Sequence, residues 1–147
     1  MSDDFTTTIG KFIHHCGSIE FLVNNSIRAL STDDVLSAEA ISFSLFKRIE
    51  LLKTLLKERS SLSQNEISSL CCELNEVRQK RNIVAHNPIV TNASDESETS
   101  EILVLRYKTN KVETKNKLSK KDVGDLVNKS KDLMLKIVQL IPESTKA

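Results

Sequence analysis

The fold is predicted most directly by residues 63–88, which read SQNEISSLCCELNEVRQKRNIVAHNP. Ser63 and Glu66 have the spacing of a capping box, in which two side chains satisfy the first free N–H groups of a helix. The residues that then recur every three or four positions are Ile67, Leu70, Cys71, Leu74, Val77, Arg81 and Ala85. Pro88 disfavours helical geometry at the residue before it, so the helix should end near His86. The stretch therefore predicts one long amphipathic helix.

Three further segments show the same helical periodicity. The first covers residues 3–30, and the second covers roughly residues 38–58. The in-phase residues of the second are Ile41, Leu45, Ile49, Leu52 and Leu56. The last helix should begin at Ser119 and Asp122, a second capping signal, and Pro142 should close it. Four long helices with short connections predict an antiparallel four-helix bundle.

A short β-hairpin is expected before the last helix. Residues 91–100 are polar and acidic and predict a loop. Residues 101–107 are β-prone, and the chain can turn back into a second short strand at 112–115. The predicted fold class is therefore all-α, an antiparallel four-helix bundle with a hairpin inserted at about 101–116. A single domain should span residues 1–147.

Composition excludes several classes of protein. The chain has 147 residues and a mass of 16.5 kDa, with 39% hydrophobic and 28% charged side chains, as expected for one globular domain. No apolar run reaches the roughly 18 residues that a membrane span needs, and the acidic N-terminus does not resemble a secretory signal. Three cysteines, two of them adjacent, predict neither a disulfide framework nor a zinc ribbon. These features favour a cytoplasmic protein with no membrane association.

No metal or cofactor site is predicted. The one cluster of ligand-type residues is His14-His15-Cys16. Neighbouring residues diverge by about 100° on a helix, so these three cannot chelate one ion together. No phosphate-binding loop of the Walker type, glycine-rich dinucleotide turn or nucleophile elbow occurs.

Charge is distributed unevenly along the chain. Residues 1–100 carry ten basic and fourteen acidic side chains, whereas residues 101–147 carry eleven and six. Much of the basic excess comes from Lys108, Lys111, Lys115, Lys117, Lys120 and Lys121. These lysines either form a solvated hairpin and helix start or follow the phosphates of an RNA.

The sharpest chemical motif is Arg81-Asn82-x-x-x-His86, at the end of the third predicted helix. Asn82 and His86 are four residues apart and share a helix face, and Arg78 lies one turn earlier on that face. An imidazole exchanges protons near neutral pH, and a guanidinium binds phosphate. General acid–base catalysis contributes about 10²–10⁴-fold, and one placed charge about 10²–10³-fold. These residues therefore suit cleavage of an RNA phosphodiester.

The motif and its position resemble the HEPN superfamily (higher eukaryotes and prokaryotes nucleotide-binding). Its members are helical bundles with an Arg-x4-6-His motif near the end of one helix, and residues 77–87 carry the resemblance here. It implies a metal-independent endoribonuclease, for example a toxin or an abortive-infection defence protein, that acts on RNA as a homodimer. In that arrangement Arg81 holds the phosphate, Asn82 orients the phosphate or the imidazole, and His86 transfers the proton.

The resemblance also implies partners and supporting residues. A homodimer would bring two motifs to one groove and so supply both a base and an acid. Its candidate contacts are Gly10, Gly17, Phe43 and Phe46. An antitoxin or another protein partner is compatible with the same class. Glu20 on the first helix could support the site by pairing with Arg78 or Arg81, or it could form a surface salt bridge.

Other interpretations of these residues stay open. Arg81 could instead form a structural pair with Glu73, Glu76 or Glu20. His86 could only cap carbonyl groups at a helix end. The chain could also be an inactive HEPN-like interaction module, or a module that binds a nucleotide or RNA without cleaving it.

Overall fold

The structure is a computed structural model. It describes the backbone of residues 2–92, 99–108 and 111–145, and the side chains of residues 5–90, 100–105, 111–114 and 116–141. The described chain contains five helices: α1 (Ser2–Leu30), α2 (Asp34–Ala40), α3 (Leu45–Arg59), α4 (Gln64–His86) and α5 (Lys120–Thr145). It also contains three strands: β1 (Ile89–Asn92), β2 (Thr99–Lys108) and β3 (Lys111–Ser119).

Local capping signals set the ends of two long helices as predicted. The Glu66 N–H donates to Ser63 Oγ at 3.2 Å, and the Ser63 N–H donates to Glu66 Oε2 at 2.8 Å. The same reciprocal pair joins Ser119 and Asp122 at the start of α5, at 3.1 and 2.9 Å. α4 ends at His86. These three boundaries are confirmed because each depends on residues next to it in the chain.

The predicted all-α class is wrong, since the described chain also forms a three-stranded antiparallel sheet with β2 in the centre. The hairpin is present but longer than residues 101–116, and β1 adds a strand on its other side, with Ile89 opposite Ile102. Segment 91–100, predicted as a loop, contributes to two strands, although its residues 93–98 lie outside the described part. The reason is that Pro88 ends the helix, and the chain after it pairs with a strand that is distant in sequence.

The predicted helix over residues 38–58 is also wrong, because it is interrupted between α2 and α3. Ser44 starts a new helix: its Oγ accepts the Lys47 N–H at 3.3 Å, and its carbonyl accepts the Arg48 N–H at 3.0 Å. Ile41, predicted to lie in the apolar stripe, is 66% exposed. The break brings the first turn of α3 beside α4.

The prediction that the last helix closes at Pro142 is wrong, because α5 continues to Thr145. A proline lacks its own N–H group but leaves the residues after it able to donate to carbonyls one turn earlier. A single proline near a helix end therefore costs one hydrogen bond and need not stop the helix.

Helices and sheet share one apolar core. Phe12, Ile49 and Leu70 from the helices are completely buried, and Ile102 of β2 and Leu118 of β3 belong to the same cluster. Among the described residues, none of the helices has both the length and the apolar character needed to cross a membrane.

The sheet is attached to the end of α4. The Leu105 N–H donates to Asn87 Oδ1 at 2.8 Å, and the Leu103 N–H donates to the Pro88 carbonyl at 3.1 Å. β2 is thus held against the residues that directly follow His86.

Candidate functional site

A cleft between α1, α3 and α4 collects most of the predicted motif. It encloses about 270 Å³ and is lined by Glu20, Ser44, Leu45, Phe46, Arg48, Arg78, Arg81 and Asn82. The three residues from α4 share one helix face because they are three and four positions apart. Three arginines face one glutamate in this lining, so the cleft carries an excess of positive charge.

The predicted pair of Glu20 with Arg78 or Arg81 is not formed. Glu20 pairs with Arg48 instead. Arg48 Nη2 lies 4.0 Å from Glu20 Oε2. Arg48 is 9% exposed, and it donates from Nε to the Phe43 carbonyl at 3.1 Å and from Nη1 to Asn24 Oδ1 at 2.9 Å. This buried guanidinium therefore ties α1 to the chain just before α3.

Within the described part of the chain, no hydrogen bond or ion pair engages the Arg81 guanidinium. The other carboxylates considered as partners are already paired. Glu73 binds Lys136 Nζ at 3.0 Å, and Glu76 binds Lys129. Because Arg81 is partly buried and lines the cleft, its N–H donors are available to an anion there.

The floor of the cleft is apolar. A small adjoining cavity lies between Arg81 and the core, and it is lined mainly by Cys16, Ile19, Leu45, Ile49, Leu74 and Val77. Burial raises the pKa of the Cys16 thiol to about 12, and the Arg81 guanidinium only partly opposes this shift. The thiol is therefore protonated at neutral pH. An apolar floor also strengthens the electrostatic field of the arginine above it.

Arg78 is partly buried, and its guanidinium makes one hydrogen bond and one ring contact. Its Nε donates to Asn75 Oδ1 at 3.2 Å, and its Cζ lies over the Phe46 ring, 5.3 Å from the centroid. This distance is within the range of a cation–π contact. Phe46 itself is 49% exposed.

His86 lies outside the lining of the cleft. It is exposed in the last turn of α4, whereas Asn82, one turn earlier, is exposed and lines the cleft. Among the described residues no hydrogen bond engages the His86 ring, and the Ile83 carbonyl in this last turn accepts instead from the Asn87 amide at 2.7 Å. One chain thus brings Arg81 and Asn82 together and leaves His86 apart.

The predicted RNA-binding lysines do not line the cleft. Those whose side chains are described are all exposed, namely Lys111, Lys117, Lys120 and Lys121. Lys117 Nζ lies 3.5 Å from Glu101 Oε2 across the hairpin. The side chains of Lys108 and Lys115 lie outside the described residues. RNA binding by this group stays a prediction.

The residues around His15 have a structural role. The Ser130 hydroxyl donates to the Val127 carbonyl at 2.8 Å, so His15 Nδ1, which lies 2.9 Å from Ser130 Oγ, acts as the donor in that contact. The contact joins α1 to α5. The described ranges hold no group of three or more His, Cys, Asp or Glu side chains placed to bind a metal ion.

A larger, open depression of about 560 Å³ lies elsewhere on α1, lined by Ile13, His14, Gly17, Ser18, Phe21 and Leu22. A Cβ atom added to Gly10 or Gly17 would meet nothing within 4 Å, so no described helix of this chain approaches them closely. Contact with a second copy stays a prediction. With one imidazole and no other titratable group in its lining, this depression has less chemistry to offer than the cleft.

The sequence did not reveal Ser44 and Arg48 as residues of the cleft, nor that Phe46 lines it. A signal for Arg48 was present: Leu45, Arg48 and Leu52 follow helical spacing, so a charged residue stands within an apolar stripe. Such a residue is buried only with partners. The chain matches no protein-family model, no curated protein and no solved structure.

Proposed function

We propose that this protein is a metal-independent endoribonuclease of the HEPN type, acting as a homodimer in the cytoplasm as a toxin or defence protein. The observation that carries the proposal is the partly buried Arg81 guanidinium, which has no partner among the described residues. It lies beside Asn82 in a cleft with excess positive charge, one turn before an exposed imidazole. A phosphate fits such a setting because its charge would be the missing counter-ion.

The reaction needs only groups of this kind. Arg81 holds the phosphate between two nucleotides and stabilises the charge that grows on its oxygens. His86 removes the proton from the ribose 2′-OH, and the 2′-oxygen attacks the phosphorus. The bond from phosphorus to the 5′-oxygen breaks, and a second imidazole gives that oxygen a proton. The products are a 2′,3′-cyclic phosphate and a 5′-hydroxyl end.

The second imidazole is the reason for the proposed homodimer. A two-fold interface brings the same patch of both chains together, so it would place His86 and the partner's copy of it at one groove. The exposure of His86 outside its own cleft is compatible with this arrangement. The exposed lysines of β3 and α5 would then follow the RNA backbone, and binding should weaken steeply with salt.

A second candidate function is binding of a nucleotide or RNA without cleavage. It is favoured by one observation, that Arg78, Arg81 and Asn82 share a cleft in a single chain while His86 does not line it. An inactive interaction module would use the same surface.

Cleavage of a mixture of structured and single-stranded RNA in the presence of EDTA tests the proposal. We expect 2′,3′-cyclic phosphate ends, detected by mass spectrometry of the products. His86→Gln should lower the rate by about 10²–10⁴-fold, and Arg81→Ala by about 10²–10³-fold. His14→Gln and Arg59→Ala are matched controls at exposed positions and should keep the wild-type rate.

The outcomes separate the two candidates. Cleavage that stops in EDTA, or that all four variants share, contradicts the proposed reaction. RNA binding without cleavage, lost in Arg81→Ala but not in Arg59→Ala, supports the binding module instead. Thermal unfolding of each variant checks that a lost activity is not a lost fold.

A further inference from the structure

The mouth of the cleft presents an aromatic ring beside its cationic groups. Phe46 lines the cleft and is 49% exposed, although it is among the largest apolar side chains of the described residues. The Arg78 guanidinium lies over the ring at 5.3 Å and is held there by its hydrogen bond to Asn75. One face of the ring is therefore fixed against a cation, and much of the side chain remains open to solvent.

The groups next to this ring suit a phosphate. Arg81 and Asn82 line the same cleft, and within the described chain neither side chain has a hydrogen-bond partner. Arg48 lines it too, but its Nε and Nη1 donate to Phe43 and Asn24. A ligand with one anionic group and one flat apolar group would thus meet both kinds of surface.

We propose that the cleft binds one unpaired ribonucleotide, with its phosphate on Arg81 and Asn82 and its base stacked on the open face of Phe46. This inference rests on the proposed function, because it takes RNA as the ligand and names the part of RNA that the cleft accepts. A base inside a duplex cannot stack on a side chain, so the cleft should select single-stranded segments and loops. Stacking on an aromatic ring tolerates every base.

The size of the cleft agrees with a single nucleotide. Small-molecule sites usually measure about 300–1,000 Å³. The cleft, at about 270 Å³, lies just below that range. It has room for one nucleotide, while the remaining nucleotides of an oligomer would lie outside it.

The sequence also suggested Phe46 as a contact in a homodimer. The side chains around it in the cleft favour a ligand, because Arg81 and Asn82 have no hydrogen-bond partner among the described residues, and burying them unpaired in a subunit interface would be costly. Phe43, the other candidate, is partly buried against the core of its own chain.

Binding of two uncleavable probes tests the inference by fluorescence anisotropy at one fixed salt concentration. The first probe is an octamer of 2′-O-methyl adenosine, and the second is an octamer of abasic spacers with the same number of phosphates. The wild-type protein should bind the adenosine octamer about tenfold more tightly, because a stacked base adds affinity beyond that of the phosphates. Arg81→Ala should weaken both probes by the same factor.

Variants of exposed phenylalanines supply the controls. Phe46→Leu should remove most of the preference for the adenosine octamer, whereas Phe46→Trp, which keeps an aromatic ring at this position, should retain it. Phe21→Leu, at a residue 63% exposed and outside the cleft lining, should keep the preference. Equal binding of both probes by the wild type would overturn the inference, as would an unchanged preference in Phe46→Leu. A dimer that Phe46→Leu dissociates would also overturn it, since the ring would then belong to an interface.

The probes keep this test separate from the proposed function. Their 2′-positions cannot attack phosphorus, so the result does not depend on catalysis. Tighter binding of the adenosine octamer than of the abasic octamer, without RNA cleavage, would refute the nuclease and support the nucleotide site. RNA cleavage without a base preference would refute the nucleotide site alone.

Discussion

Replacing Arg48 by methionine should destabilise the protein, because it removes the contacts that join α1 to the start of α3 beside the cleft. Arg48→Met keeps a long apolar side chain but removes the charge. It abolishes the hydrogen bonds to the Phe43 carbonyl and to Asn24, and the 4.0 Å ion pair with Glu20. Hydrogen bonds of charged groups contribute about 1.5–3 kcal/mol each. Because Glu20 is 30% exposed and can regain water, we expect a net loss of about 2–4 kcal/mol in the free energy of unfolding.

The matched variant is Glu20→Gln, which removes only the long ion pair. A partly exposed pair of this kind contributes about 0–1 kcal/mol, so this variant should unfold almost like the wild type. For a chain of this length each kcal/mol shifts Tm by roughly 3 °C, so Arg48→Met should lower Tm by roughly 6–12 °C. Urea and thermal unfolding measure both quantities. Two results would refute this account of the cleft. One is a free energy of unfolding for Arg48→Met within about 1 kcal/mol of the wild type, which is the contribution of one surface ion pair. The other is a loss of stability in Glu20→Gln as large as the loss in Arg48→Met.

Further predictions concern the thiols and the second helix cap. Burial raises the pKa of Cys16 to about 12 and of Cys71 to about 11, so iodoacetamide at neutral pH should modify exposed Cys72 first and reach the others only in denaturant. Mass spectrometry of the peptides measures the order, and equal rates in the native state would contradict it. Hydrogen bonds from Ser119 lower the pKa of Asp122 below its ordinary value of 3.8. The ionised carboxylate of Asp122 therefore stabilises the fold above pH 3.8, and this stabilisation is lost as the pH falls through the lowered pKa. Asp122→Ala should therefore cost about 0.5–1 kcal/mol at neutral pH, and the gap to wild type should close in acid; a gap that widens in acid would contradict the assignment.

Signals between near neighbours in the chain made most of the helix ends predictable. The Ser63–Glu66 and Ser119–Asp122 pairs depend on residues three positions apart, and so does the end of α4 before Pro88. The break after α2 was hidden because Ser44 is followed at the third position by a lysine rather than by Glu or Gln. Its cap therefore lacks the reciprocal partner that makes a capping box recognisable.

Contacts between distant residues were not predictable in the same way. β1 exists because Ile89 pairs with Ile102, and no local pattern reveals that pairing. In the site, helical spacing placed Arg78, Asn82 and His86 on one face, whereas the cleft is lined by Arg78, Arg81 and Asn82 and not by His86. The predicted partners of Glu20, Arg78 and Arg81, were wrong, because the glutamate pairs with Arg48 of α3. Which carboxylate reaches which arginine depends on packing between helices, and helical spacing alone does not determine it.

The most direct test of the central claim is the rate at which purified protein cleaves a single-stranded RNA in EDTA, compared between His14→Gln and His86→Gln. Both variants exchange an exposed histidine for the same residue, so they differ only in position. The account predicts wild-type cleavage with 2′,3′-cyclic phosphate ends for His14→Gln, and a rate lower by about 10²–10⁴-fold for His86→Gln. Equal rates for the two variants would contradict it.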